Sequence, residues 1–330
     1  THEATQAKLS NDFFGRRNSP VGCATGSGNI FSGNGVDSRY VGGAGDLVVN
    51  TDTGEGFCSI QAAIDDADTL AGHTIAIPAG TFAENVTLSK QLTLDGAGSG
   101  ADPATNTVID PVSGKGIAIT ASGTSAAARV VVRDLRVTGA TDDGITLEGT
   151  GGSYLTLDNV ASVGAAGASS DGFEIKHLSP VMDVKILNSN LSGNGLSGFR
   201  MGTGTQLDGL VVEDTVFDGN QYGFLVFAAN PAPTFNNISF TGVDLTNNAQ
   251  KGLYTERLNN ASFTDLTVTG NGSAAAAFMA GMDINLKYAA FSNISVTNSM
   301  FADNGLGDTN NQGVDLTLHV RSGGRSAGSP

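Results

Sequence analysis

One short motif recurs from residue 116 onward and leaves few folds open to this chain. A glycine precedes an apolar-x-apolar triplet at Ile117-Ala-Ile, Ile145-Thr-Leu, Phe173-Glu-Ile, Phe199-Arg-Met, Phe224-Leu-Val, Leu253-Tyr-Thr, Met282-Asp-Ile and Val314-Asp-Leu. Successive triplets start 28, 28, 26, 25, 29, 29 and 32 residues apart. A period of that size, built of short strands without helices, marks a solenoid whose repeats bury their apolar sides only against one another. Each repeat also carries a second segment, such as Val211-Val-Glu-Asp-Thr-Val-Phe-Asp-Gly-Asn, which reads as two strands around a bend. The bends fall at Asp134, Asn159, Asn188, Asp214, Gly242, Asp265 and Asn298, residue types that accept a left-handed backbone. Stacked Asn side chains at such corners are expected to bond from coil to coil.

Inward positions on these strands hold Ile, Leu, Val, Phe and Met, so every added coil lengthens one apolar column. At about 25 cal/mol per Å² of buried apolar surface, some eight coils supply an ample core. The 330 residues therefore read as one growing stack rather than two globular units.

The first turns of the stack are also written in the sequence. Ser59 stands as an N-cap before Ile60, Ala63, Ile64 and Ala67 at helical spacing. A short helix there would cover the apolar cross-section of the first coil. Three short alternating strands follow, within Thr74–Phe82, Glu84–Leu88 and Lys90–Gly98. The block Ser59–Gly98, with S-I-Q-A-A-I-D, I-P-A-G-T-F-x-E-N-V and L-T-L-D-G-A-G, resembles the N-terminal capping module of pectin-lyase-like β-helix proteins. That resemblance is specific for the fold and says little of function, because enzymes, adhesins and structural proteins share it. The expected fold is all-β: a right-handed parallel β-helix, three short strands per coil, with a short N-terminal capping helix. The expected organisation is an irregular lead-in over 1–45, serving as an arm toward another subunit, then one β-helix domain over 46–330. Within that domain 59–98 form the capping module and 116–320 the repeating coils.

Charge narrows the partners. Seventeen Lys and Arg against 32 Asp and Glu give a net charge of −15, which repels nucleic acid and anionic lipid. No apolar run is long enough to cross a bilayer as a helix, so membrane insertion is not expected. Cys23 and Cys58 read as a disulfide pinning the lead-in to the first coil of a secreted or cell-surface protein. Two free buried thiols are the alternative. The four histidines show no metal-ligand spacing; no metal or other cofactor is indicated, calcium included.

Period-2 alternation turns one side chain in two outward on the strand after each glycine. The outward series is Ala118 and Thr120, Thr146 and Glu148, Glu174 and Lys176, Arg200 and Gly202, Leu225 and Phe227, Tyr254 and Glu256, Asp283 and Asn285, Asp315 and Thr317. His177, Arg257 and Lys287 fall at or near its edge. In pectin-lyase-like proteins the substrate groove runs along the corresponding face, so the resemblance implies that Glu148, Glu174, Lys176, Arg200, Phe227, Tyr254, Glu256 and Asp283 are the ligand-binding candidates. Aromatic faces would pack on sugar rings and carboxylates would bond hydroxyls.

A lyase or epimerase would use Lys176 or Arg200 to neutralise a uronate and Tyr254 or His177 to move a proton. A hydrolase would need two carboxylates about 5–9 Å apart, as Glu148 with Glu174 or Glu256 with Asp283. Cross-strand charge pairing on an exposed sheet explains the same residues without chemistry. Asp142, Asp143 and Asp171 read as turn residues before glycine.

The motifs of pectin methylesterases, the His-Gly and Arg-x-Lys partners of polygalacturonases and the calcium cluster of pectate lyases are missing. Ser170-Asp-Gly-Phe-Glu-Ile-Lys-His only distantly resembles the alginate epimerase motif. The expected function is a non-catalytic extracellular module for adhesion, matrix or fibre formation, with a polysaccharide, a cell-surface glycan or copies of itself as partner. The alternative is a polysaccharide-active enzyme, lyase or hydrolase, using the exposed strand face.

Overall fold

The computed structural model describes residues 47–149, 152–177 and 180–321. Almost every strand in them pairs in parallel with the equivalent strand one coil away. The face-bearing sheet has nine strands in unbroken chain order: Val86–Leu88, Ile117–Ile119, Ile145–Gly149, Asp171–His177, Ser197–Met201, Tyr222–Val226, Lys251–Thr255, Ala280–Lys287 and Val314–Arg321. A second sheet of 13 strands runs from the antiparallel opening strands Val48–Asn50 and Glu55–Phe57 to Ile294–Thr297. A third, of four strands, runs from Val216–Asp218 to Met300–Ala302. This is the expected right-handed parallel β-helix.

The repeat motif sets the register. Ile117, Ile145, Phe173, Phe199, Phe224, Leu253 and Met282 are successive partners, all buried. Where three phenylalanines follow one another their rings pack edge-on and then face to face. Phe173 and Phe199 lie 5.7 Å apart at 69°, and Phe199 and Phe224 lie 4.3 Å apart at 7°. Each such ring adds about 1.5–3 kcal/mol by burial. The last coil departs from the expected register. Leu316, not Val314, partners Met282, so Thr317 and His319 stand opposite Asp283 and Asn285. The loop before this strand is two residues longer than the triplet spacing implies.

All seven expected bends have positive φ, from 45° at Asp214 to 64° at Gly242. The corners bond between coils, as in Asn159 Nδ2 to Asp134 Oδ1 at 2.7 Å. A second asparagine column is wholly buried. Asn194, Asn220, Asn248, Asn271 and Asn304 each donate through Nδ2 to the next member or to a backbone carbonyl. It satisfies the polar backbone where the chain enters the face-bearing sheet, a place where unpaired groups would be costly.

The N-terminal end is covered as expected by helix α1, Ile60–Asp65, whose cap Ser59 accepts from Ala62 N at 3.1 Å. Glu84 reinforces it, accepting from Ile60 N and Gln61 N at 2.8 and 3.0 Å. Ile60, Ala63 and Ile64 are buried against the first coil, while Ala67 lies beyond the helix and is exposed. Cys58 is disulfide-bonded; its expected partner Cys23, like the whole 1–45 lead-in, lies outside the described residues. At the other end the inward side chains Leu316 and Leu318 are 42% and 57% exposed. No helix among the described residues is long and apolar enough to cross a membrane.

Candidate functional site

Because neighbouring strands are in register, outward residues separated by a whole coil become neighbours about 4.8 Å apart. Thr146, Glu174, Arg200, Leu225, Tyr254, Asp283 and Thr317 form one such row. Along it the polar side chains gather into two groups, one around Glu174 and Arg200, the other around Tyr254 and Asp283. Leu225, fully buried, and the half-buried Phe227 separate them.

In the first group three carboxylates lie beneath two cations. Lys176 Nζ is 2.7 Å from Asp143 Oδ2 and makes an ion pair at 2.6 Å with Glu174 Oε2, outside hydrogen-bonding geometry. Arg200 reaches Asp171 Oδ2 through Nε and Glu174 Oε1 through Nη2, both at 2.5 Å. Asp171 also accepts from the Ser197 hydroxyl and from Ser197 N, and its own N–H donates to Asp143 Oδ1 at 2.8 Å. The acids are buried, with Asp143 and Asp171 at 0% exposure, whereas the Lys176 and Arg200 side chains are 36% and 24% exposed.

Burial pushes Asp171 up to about 6, against the Ser197 bond and the Arg200 charge. It pushes Glu174 up to about 7, against Lys176 and Arg200. Burial alone would lower the Lys176 ammonium, but Asp143 and Glu174 outweigh it and hold the group firmly charged. Oxygens of Asp143, Asp171 and Glu174 all lie within 4.8 Å of one another, a spacing able to hold a cation. Here the ammonium and guanidinium already neutralise them. The other carboxylate triad among the described residues is Glu55, Asp66 and Asp68 near the N-terminal cap.

The second group is a relay of hydrogen bonds. Asn285 Nδ2 donates to the Tyr254 hydroxyl at 3.1 Å, and that hydroxyl donates to Glu256 Oε1 at 2.7 Å. Lys287 pairs with the same Glu256 oxygen, and Ala228 N bonds the other at 2.9 Å. Lys251 pairs with Asp283 and sits 4.4 Å over the Tyr254 ring. Burial and the bond to Glu256 raise the Tyr254 hydroxyl well above its ordinary value. Glu256 is held low, since Lys287, Ala228 N and Tyr254 outweigh the effect of burial. Phe227 packs edge-on against Tyr254 at 6.0 Å.

The eight expected ligand-binding residues thus all lie on the face-bearing sheet or at its edge, but they do not converge. Tyr254 is two strands from Arg200, about 10 Å. Glu148 stands opposite Lys176 in register yet pairs with Lys115, away from Glu174. Glu174, Glu256 and Asp283, expected to meet ligand directly, are 2%, 7% and 5% exposed. Arg257, expected at the edge, is fully buried, and its guanidinium donates only to backbone. Nε reaches Phe227 O at 2.8 Å, Nη2 reaches Gly202 O at 2.9 Å, and Nη1 reaches Thr205 O. Burial lowers it to about 10. The His177 side chain lies outside the described residues.

Asp143 and Asp171 are a correction: they are members of the charged group rather than simple turn residues. Alternation assigns them inward with Ile145 and Phe173, but Asp143 stands before its strand and Asp171 opens its own where the pairing skips Gly172, so the carboxylates meet the cations instead. Asp142, beside them, is a half-buried turn residue as expected.

No family model matches the chain, and no curated protein matches it in sequence. Among solved structures it is similar to the mannuronan C-5 epimerase AlgE4 A-module of Azotobacter vinelandii. The match covers 87% of this chain and 98% of that one, at 18% identity and a TM-score of 0.42.

Proposed function

We propose that this chain is an extracellular polysaccharide-binding protein that holds an acidic glycan along the exposed strand face without cleaving it. The observation that carries this is which members of the first group reach solvent. A polymer lying on the sheet meets Lys176 and Arg200 on adjacent strands, while the acids of that group, Asp143, Asp171 and Glu174, lie beneath them. A uronate or sulfate can share the two cations by charge-assisted bonds. Tyr254, the tyrosine beneath Lys251 in the second group, is held protonated, which suits a donor and not a base. The disulfide at Cys58 fits an oxidising compartment.

Binding is measured by retardation in gels carrying alginate, polygalacturonate or a neutral glucan, with Lys176→Ala and Arg200→Ala compared to the parent. Retardation by an acidic polymer that both variants weaken supports the reading. No retardation, or release of unsaturated or shortened products, refutes it and favours the enzyme. Self-association is the second reading, favoured by the exposed Leu316 and Leu318 on the last coil. Light scattering coupled to chromatography tests it: mass that rises with concentration supports it, and a constant monomer mass removes it.

A further inference from the structure

Beyond Tyr254 the face carries a cleft of about 470 Å³ at the last two described coils, lined among others by Lys251, Tyr254, Phe278, Asp283, Asn285 and Thr317. That volume is in the range of small-molecule sites. Two acceptors in its lining have no partner: Asp283 Oδ1 and Asn285 Oδ1 are both buried and neither receives a hydrogen bond. Their other polar atoms are engaged, Asp283 Oδ2 by Lys251 and Asn285 Nδ2 by the Tyr254 hydroxyl. A native protein rarely leaves two such acceptors side by side, because each forfeits the free energy of its lost hydration. They call for a ligand that donates.

We infer that this cleft binds one uncharged sugar unit, adjacent hydroxyls donating to Asp283 and Asn285 and the ring face resting on Phe278. Three features select that class. Lys251, the one lysine or arginine in the lining, is already neutralised by Asp283 and covers the Tyr254 ring, so it is not free to meet a carboxylate. Phe278 is 57% exposed although it is a large aromatic, and Met279, Ala280 and Val314 extend the apolar wall. A pyranose offers both a row of donors and an apolar face, the combination these walls match. Thr317, opposite Asp283 in register, supplies a further hydroxyl at the rim.

The inference deepens the polysaccharide reading and rests on it. The cleft lies three strands beyond Arg200, about 14 Å, so one chain spanning both would combine acidic and neutral sugars.

Methyl glycosides of glucose, galactose, mannose and glucuronic acid serve as probes, titrated into the full chain and read by saturation-transfer NMR and calorimetry. The expected result is saturable millimolar binding of at least one neutral glycoside, weakened about tenfold by Phe278→Ala. Phe278 is exposed, so its loss should leave the melting temperature unchanged and the comparison fair. Asp283→Asn should weaken the same glycoside while the fold, judged by circular dichroism, persists. No saturable binding of any neutral probe overturns the inference, as does tighter binding of the glucuronide or full binding by Phe278→Ala. Acidic polymer held through Lys176 and Arg200 without glycoside binding removes the cleft alone. Glycoside binding without polymer retention removes the face reading alone.

Discussion

The two polar groups on the strand face are built from the same columns of the same solenoid, yet they end in opposite states. Around Asp143, Asp171 and Glu174 the charges close on themselves, with two cations laid over three acids, each carboxylate engaged. Around Asp283 and Asn285 each side chain is committed on one atom and bare on the other. Coil geometry is common to both, so it is not what separates them. The difference is what stands beside each carboxylate. Lys176 and Arg200 each span two acids, whereas Lys251 and Lys287 each serve one. A closed group can meet a polymer only through its exposed cations; an open one can take up hydroxyls.

The strongest way to test this separation is to cut the residue that spans it. Arg257 links the backbone of three successive coils between the groups, through Gly202 and Thr205, Phe227 and its own turn. Arg257→Leu strips Phe227 O and Thr205 O of the guanidinium bonds and leaves Gly202 O with Thr205 N alone, and we expect a loss of about 3–5 kcal/mol in urea unfolding. A loss below about 1 kcal/mol would mean that the groups are not joined through this side chain. The next largest contrast is between cations. Arg200→Met leaves Asp171 and Glu174 short of a counter-charge in a buried site, at a cost of about 3 kcal/mol. Lys287→Met should cost only about 1 kcal/mol, because Glu256 keeps Ala228 N and Tyr254 as donors. Equal losses would break the comparison.

Titration separates the groups further. Asp171 and Glu174 rise from 3.8 and 4.5 to about 6 and about 7 in the folded chain. Between about pH 4 and 7 the folded state therefore binds more protons than the unfolded one, and stability falls as pH rises through that window. We expect Glu174→Gln to flatten this slope, by about 1–2 kcal/mol between pH 5 and 7.5, read from unfolding midpoints in urea. A slope unchanged by the substitution would mean that Glu174 does not carry the proton. The same protonation bares Lys176 and Arg200, so acidic polymer should be retarded more at pH 5.5 than at pH 8.

The repeat made the fold legible because register and bends depend on backbone period and on residues tolerant of positive φ, both local properties. The outward row followed from alternation alone, from Thr146 as far as Asp283. It failed in the last coil, where loop length and not the triplet decides which residue meets Met282. Asp143 and Asp171 were hidden for another reason: alternation does not hold where a strand starts, and an Asp before Gly looks the same whether it closes a turn or neutralises a cation. The buried column from Asn194 to Asn304 did leave a signal, an Asn three or four residues before the glycines of successive triplets, as at Asn194, Asn220 and Asn248. Which lysine pairs which acid was not legible. Long side chains reach past their nearest register partner, as Lys115 does to Glu148 and Lys176 to Asp143.

The smallest effect we expect is also the most discriminating. Tyr254→Phe keeps the ring over which Lys251 sits and removes only the hydroxyl between Asn285 and Glu256. One net hydrogen bond is worth about 1 kcal/mol, and Glu256 retains Lys287, so the loss should not exceed that. Its sign with pH distinguishes it from the first group. Glu256 is held below its ordinary value of 4.5 and Tyr254 above its value of 10.0, so neither changes protonation between pH 5 and 8. The stability Glu256 contributes is complete above pH 4.5 and is lost only as pH falls through its folded value. Urea midpoints of Tyr254→Phe should therefore track the parent in parallel across pH 5 to 8, where those of Glu174→Gln converge on it or cross it. If the Tyr254→Phe difference itself changes with pH in that window, the second group titrates as the first does, and the distinction between a group that titrates near neutrality and one that does not is lost.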